Sequence, residues 1–398
     1  MLEPVDTIRR QVGLYIHFPY CIKKCPYCDF NSHQLTTTQQ PLATIDYSDY
    51  LSALLLDLQY EQKLWQDIDF EVSSIFIGGG TPSLASAAFY RQLLDRVRTS
   101  FNVMDGLEIT MEANPGALEY DYFERYLAAG INRLSFGVQS FNNDHLKILG
   151  RIHSAEQAVT AYKQARHAGF KRINLDLMFG LPQQSVAQGL DDLQQALTLE
   201  PEHLSWYQLT LEPNTVFYSK PPVLDHDISH ELWSQGRALL AQAGFAQYEV
   251  SAYAKPQQQS AHNYLYWTFG DYMALGAGAH GKQTRGDKVV RYQKTRMPEH
   301  YMARQQRIAV GQGFAAQPFI AQHHALHAEL GVEYLLNKLR LNEPLKALDY
   351  ELHTKLAWQD LQPKLQALAE LDLLTFDQHQ LRLTDHGFCF LDEVMVRL

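Results

Sequence analysis

The sequence predicts an α/β protein: a parallel sheet covered by helices, followed by a smaller, mainly helical unit. Three observations carry that expectation. A short apolar, β-rich run followed by a helical stretch recurs about every 30 to 40 residues, the spacing of βα units. The length, 398 residues, exceeds one ordinary domain and asks for a large core with an appendage. The usage of 46% hydrophobic and 20% charged residues is that of a globular chain and excludes extensive disorder.

Six βα units can be read. Strands are expected at Gly13 to Phe18, Ser74 to Ile77, Glu108 to Met111, Arg133 to Val138, Arg172 to Met178 and His203 to Leu209. Apolar residues spaced by three and four place helices at Asp46 to Trp65, Ser86 to Ser100, Tyr120 to Ala129, Ser154 to Ala168, Gln188 to Leu199 and Ile228 to Ala243. Gly130, Gly169 and Gly244 follow three of these helices, as a left-handed C-cap requires. Periodicity alone leaves a doubly wound sheet and an incomplete barrel both open. Beyond Tyr248 the rhythm fades into a glycine-rich segment, Gly270 to Gly281. A run dense in base follows, with eight Lys or Arg between Lys282 and Arg307 against Asp287 and Glu299. After Gly313 the chain turns helical. Leu361 to Leu373, Thr375 to Leu383 and Thr384 to Val396 read as helix, short hairpin, helix, a winged-helix-like arrangement. The expected division is 1–245, 246–313 and 314–398.

Asp and Glu outnumber Lys and Arg by 44 to 34, a formal charge of −10, which gives no general attraction to nucleic acid or anionic membranes. The winged-helix-like segment is therefore expected to pack over the barrel rather than to bind DNA. No leader pattern and no run of some 18 apolar residues is present, so a cytoplasmic protein that does not span a membrane is expected.

Four cysteines occur, and three of them lie between residues 21 and 28, too clustered and too few for a disulfide framework. They read as ligands or reactive thiols. In Cys21-Ile-Lys-Lys-Cys25-Pro-Tyr-Cys28 they share the loop after the first strand, at the end where α/β sites lie. Three thiolates hold three irons of a [4Fe-4S] cluster and leave the fourth open to a small molecule, with Lys23 and Lys24 at hand to offset negative charge. A zinc site completed by a histidine such as His33 is the alternative; the spacing favours the cluster. Cys389 is expected to be a buried small hydrophobe.

Cys-x3-Cys-x2-Cys after a first strand resembles the motif of the radical S-adenosylmethionine (SAM) superfamily. That resemblance implies a partial (β/α)6 barrel of TIM type, a [4Fe-4S] cluster at Cys21, Cys25 and Cys28, and SAM chelated to the open iron. It also implies reductive cleavage of the sulfonium to a 5′-deoxyadenosyl radical and an electron donor such as a flavodoxin or ferredoxin. Gly78-Gly79-Gly80-Thr81-Pro82 looks like the segment that receives the methionyl amino group, and glycine there lets the backbone approach a ligand closely. By the same resemblance Gly79, Gly80, Thr81, Glu112, Gln139, Arg151 and Asp176 hold SAM, with Tyr15 and Tyr27 as aromatic contacts. Each taken alone is as often a cap or a packing residue.

Tyr15-Ile-His-Phe-Pro-Tyr-Cys21, Glu112-Ala-Asn-Pro115, Gly137-Val-Gln139-Ser140-Phe141, Asp176-Leu-Met-Phe-Gly180-Leu-Pro182 and Ser205-Trp-Tyr-Gln208-Leu extend the resemblance over nearly the whole chain. They point to the group of the anaerobic coproporphyrinogen III oxidases and the heme chaperone family HemW. Three features favour the chaperone branch. The oxidases continue the cysteine motif as Cys-x-Cys, whereas Asp29-Phe30 follows Cys28 here. They carry an N-terminal extension, whereas 20 residues precede the first cysteine here. His262-Asn263-Tyr264-Leu265-Tyr266-Trp267 matches the chaperones' His-Asn-x-x-Tyr-Trp. An imidazole is a common heme ligand, the aromatic neighbours offer flat apolar surface, and the basic run offers Arg and Lys for two propionates. A histidine among aromatics is, in general, more often a hydrogen-bonded core residue. The expectation is a heme-binding chaperone that passes heme, held at His262, to an acceptor protein. The alternative is an oxygen-independent oxidase or another radical enzyme acting on porphyrins.

Overall fold

A computed structural model describes residues 9–35, 45–117, 123–309, 319–324 and 327–398. Six strands run parallel and side by side in chain order: β1 (Arg10–Phe18), β2 (Phe70–Gly79), β3 (Val103–Ala113), β4 (Arg133–Gln139), β5 (Arg172–Phe179) and β6 (His203–Gln208). Helices α1 (Ser48–Trp65), α2 (Ala87–Ser100), α3 (Phe123–Ala129), α4 (Asn143–Ile148), α5 (Ala155–His167) and α6 (Val186–Thr198) connect them, and α7 (Val216–Ser219) and α8 (His226–Gln242) follow β6. The expected helix start at Tyr120 and the turn to helix after Gly313 lie outside the described residues. Gly130, Gly169 and Gly244 take φ of 106°, 102° and 82°, the left-handed C-caps the sequence calls for.

Side chains alternate across each strand, and the alternation separates core from site. Outward positions are apolar. Val12, Leu14, Ile16 and Phe18 on β1, Ile75 and Ile77 on β2, Ile109 and Met111 on β3, and Leu134, Phe136 and Val138 on β4 join helix residues such as Leu54, Leu58, Leu93 and Val97 in one core. Each such side chain contributes about 1.5–3 kcal/mol relative to exposure. Inward positions are small, polar or aromatic: Gly13, Tyr15 and His17, then Ser74 and Phe76, Glu108 and Glu112, Arg133 and Ser135, Asn174 and Asp176, His203 and Tyr207. They bond across strands, Asn174 donating to Ser135 Oγ at 2.8 Å and accepting, on its Oδ1, from His203 Nδ1 at 2.6 Å.

The barrel is open, because β1 and β6 find other neighbours. On β6 lies an antiparallel pair, β7 (Ala246–Glu249) and β8 (Ala252–Ala254). On β1 lies β9 (Asp271–Leu275), parallel, in the register Val12 to Asp271 through Ile16 to Leu275. The sheet continues antiparallel through β10 (His280–Arg285), β11 (Lys288–Lys294) and β12 (Phe319–His324). Two expectations change here. Gly270 to Gly281 is no mere glycine-rich fade, since it contains the strand that extends the sheet beyond β1. The basic run is not wholly on offer to a ligand either: Lys294 is fully buried between Asp57 and Glu61 of α1 at 2.6 Å each, and Lys282 is buried against Asp271 at 2.9 Å.

Helix α9 (Ala261–Trp267) precedes β9, and α10 (Pro298–Ala309) packs on α1. The C-terminal unit comprises α11 (His327–Lys338), β13 (Leu345–Lys346), α12 (Ala347–Thr354), α13 (Trp358–Glu370), the hairpin β14 (Leu374–Phe376) and β15 (Gln380–Leu383), α14 (Asp385–Cys389) and α15 (Leu391–Arg397). Its core of Leu335, Trp358, Leu365 and Leu368 also takes in Phe269 and Val289 of the sheet extension. Cys389 is half-buried rather than buried.

Candidate functional site

The loop after β1 is closed by a short parallel pairing of Tyr20–Cys21 with His33–Gln34. Inside it the Cys28 N–H donates to the Cys25 carbonyl at 3.2 Å, turning the last two thiols back toward the barrel. Cys21 is buried, and Cys25 and Cys28 are half-buried. Every sulfur has a polar neighbour. Thr81 Oγ1 donates to Cys21 at 3.5 Å, Arg151 Nη1 to Cys25 at 3.6 Å, and the Ser32 hydroxyl lies 3.6 Å from Cys28. Burial pushes the Cys21 and Cys28 thiols up as free groups. Iron-bound thiolates would use the same donors, which suits an iron–sulfur site. His33, the histidine of the zinc alternative, instead hydrogen-bonds Asn31 Oδ1 at 3.3 Å. Among the described residues no three His, Cys, Asp or Glu side chains converge on a point that could hold a single metal ion.

A cavity of about 310 Å³ opens beside the thiols at the C-terminal ends of the strands. It brings together Cys21, Cys25, Cys28, Tyr27, Gly79, Gly80, Thr81, Glu112, Gln139, Arg151 and Asp176. Gly79 has φ of +115°, and a Cβ there would meet the His17 ring at 2.5 Å; a Cβ on Gly80 would meet the Tyr20 carbonyl at the same distance. No other residue fits this turn. Glu112 accepts the Gly79 N–H at 3.0 Å, and burial, with Asp176 nearby, pushes its carboxyl up to about 8. Asp176 is also raised by burial, although Asn174 and Ser135 donate to it at 2.7 and 3.2 Å. Two partly buried carboxyls lining one cavity make a place for a cation. Gln139 stands at φ of +72° and accepts the Tyr207 hydroxyl at 2.8 Å. Arg151 donates to the Gly137 carbonyl at 2.7 Å, while its Nε is buried without a hydrogen-bond partner. An orphaned guanidinium N–H, a pair of acidic groups and three thiols around one space fit a cluster carrying SAM.

Tyr15 and His262 are not part of that cavity. Both line a second one, of about 680 Å³, inside the barrel mouth. Asp29, Phe30, Gly79 and Glu112 line both, so the two spaces share a wall. Tyr15 bonds His17 Nδ1 at 3.0 Å. His262 is buried beneath Gly13, with Nδ1 bonded to Ser74 Oγ at 3.0 Å, and the rings of Phe76 and Tyr266 lie 5.5 and 6.1 Å away. Burial lowers its pKa to about 4, so the ring is neutral near pH 7. Its helix is held by Glu108, which accepts backbone N–H groups of Ala261 and His262 at 3.2 and 3.4 Å and pairs with Arg172 at 2.9 Å. Burial alone would raise Glu108; Arg133 and Arg172 outweigh it and hold the carboxylate low. Sequence reasoning did not single out His17, Tyr207 or Tyr272, and it offered Arg296 only as one of eight cations of the basic run. The signal for the first two was available, since each lies two residues from another inward position on its strand. Asn31 links the sites: His17 Nε2 bonds its carbonyl at 2.9 Å, and its amide donates to the carbonyls of Ala277 and Arg296 at 3.0 and 2.9 Å.

Comparison with known proteins adds names to this geometry. Residues 15–196 match the family model described as the radical SAM superfamily, and residues 326–390 match that of the HemN C-terminal domain. The chain is 44% identical to the heme chaperone HemW of Escherichia coli, covering 96% of this chain and 97% of that one. It is 41% identical to the heme chaperone HemW of Haemophilus influenzae, with the same coverage of each. Its fold is similar to that of coproporphyrinogen III oxidase (HemN) from Escherichia coli, a radical SAM enzyme, with a TM-score of 0.79 at 24% identity over 98% of this chain and 90% of the other.

Proposed function

The chain belongs to the radical SAM superfamily and, within it, to the HemW family, and from that premise we propose that it binds heme and hands it to an acceptor protein. The carrying observation is that His262, neutral and buried, lines an aromatic-walled space that abuts the three-cysteine cavity. In this reading Cys21, Cys25 and Cys28 hold a [4Fe-4S] cluster. Gly79, Gly80, Thr81, Glu112, Gln139, Arg151 and Asp176 hold SAM, and Tyr27 flanks it. When bound, the cluster supplies one electron beside the sulfonium. The residues' own work is to orient and to exclude water. Glu112 and Asp176 attract the cationic methionyl end, Arg151 braces Cys25 against Gly137, and the Gly79–Gly80 turn lets backbone approach. Tyr15 then belongs with heme rather than with SAM. A soluble electron donor and a cytoplasmic setting complete the reading; no helix among the described residues is long and apolar enough to cross a membrane.

The test is a heme titration of anaerobically reconstituted protein. A Soret band that shifts or weakens in His262→Ala supports the proposal. Its absence in the parent protein, or stoichiometric conversion of coproporphyrinogen to protoporphyrinogen, would overturn it in favour of no porphyrin role or of the oxidase.

A further inference from the structure

The basic run between Lys282 and Arg307 offers several cations to an acidic ligand, but the fold withdraws most of them. Lys282 and Lys294 are sealed in buried ion pairs. Arg291 pairs with Glu333 at 2.8 Å and donates to Tyr272, and Arg285 is tied to Gln283 and the Leu64 carbonyl. Lys288 stands at the exposed hairpin turn, and the side chains of Arg304 and Arg307 lie outside the described residues. Arg296 remains. Among the described residues it is the one Lys or Arg lining the 680 Å³ cavity, its side chain is exposed, and His280 stands in the same lining.

Its position along the cavity is informative. His262 lies level with Gly13 and Ser74, which pair in register. Arg296 is joined through Asn31 to His17, four residues further along β1, or about 13 Å of strand. Tyr15 and Phe76, paired in register two residues on from Gly13 and Ser74, stand between the two ends, and the rings of Tyr266 and Tyr272 line the same space. The space has an imidazole at its inner end, aromatic walls, and a single guanidinium at its mouth.

We propose that Arg296 anchors a carboxylate of the ligand, so that the cavity selects a flat macrocycle with acidic arms and orients those arms toward the barrel mouth. This deepens the heme reading and rests on it. A guanidinium takes a carboxylate in a two-pronged, charge-assisted hydrogen bond, which an ester cannot reciprocate.

The experiment compares heme with its dimethyl ester on the full-length, cluster-loaded protein, by Soret titration. The parent protein is expected to prefer the diacid by about tenfold or more. Arg296→Gln is expected to weaken heme by a similar factor and leave the ester unchanged, erasing the preference, while Arg296→Lys keeps part of it and Lys288→Gln changes neither. A preference that survives Arg296→Gln, or an equal loss for both ligands, overturns the assignment of Arg296. Failure of the parent protein to bind either ligand instead overturns the heme reading itself.

Discussion

Glu112 faces two demands at once. Burial and Asp176 hold its carboxyl largely protonated at neutral pH, yet the cavity it lines is suited to a cation. An ammonium group brought against it would draw the proton off, so binding of SAM should release protons below about pH 8. Glu112→Gln copies the neutral form. It is expected to fold normally and to lower SAM affinity about tenfold, measured by calorimetry on anaerobic protein, with the proton release gone. Unaltered affinity would remove Glu112 from the cofactor site. At this same scale the sequence brought the lining residues to notice but not which of the two cavities each one lines. Tyr15 is paired with His17 by a hydrogen bond across two positions of one strand, and only the folded barrel reveals that this pair faces the second cavity.

Among the elements, the six parallel strands were legible because each carries an apolar outward face and is followed by a helix of regular period. Strand β9 was not. Asp271-Tyr-Met-Ala-Leu275 is short, mostly buried and flanked by glycine, so it lacks both the alternation of a half-exposed strand and the length of a helix. The basic run misled for a related reason: a charge count cannot distinguish a solvated lysine from one enclosed by carboxylates. Lys294 fixes β11 to α1 through Asp57 and Glu61, with Tyr301 and Tyr292 donating to the same two carboxylates at 2.7 and 2.8 Å. Lys294→Met leaves two buried acids without their cation and is expected to cost about 3–5 kcal/mol in urea unfolding. Adding Asp57→Asn and Glu61→Gln should recover much of that. A loss no larger than that of an exposed lysine would show the cluster to be dispensable.

For the whole molecule, three buried histidines set the fold against acid. His17, His153 and His262 are each lowered to about 4, in every case chiefly by burial. An unfolded chain takes up protons at these positions from about pH 6.5, and the folded one does not until about pH 4, so stability is expected to fall as pH drops through that window. Urea midpoints at pH 7 and pH 5 should differ, the lower pH giving the lower midpoint, and His153→Asn should narrow the gap. Equal midpoints would contradict the buried, neutral state of these rings. Heme binding at His262 should by contrast persist to near pH 5, because its nitrogen stays unprotonated there.

Asn31 has a consequence that reaches across these scales. One amide ties the segment just past Cys28 to the backbone of Arg296, so the stretch proposed to hold the cluster is joined to the stretch proposed to meet the ligand. Removing a bound cluster is expected to slacken both together, measured as faster escape of heme from cluster-free protein. In the heme reading, a carrier joined in this way would keep hold of its cargo only while its cluster is in place.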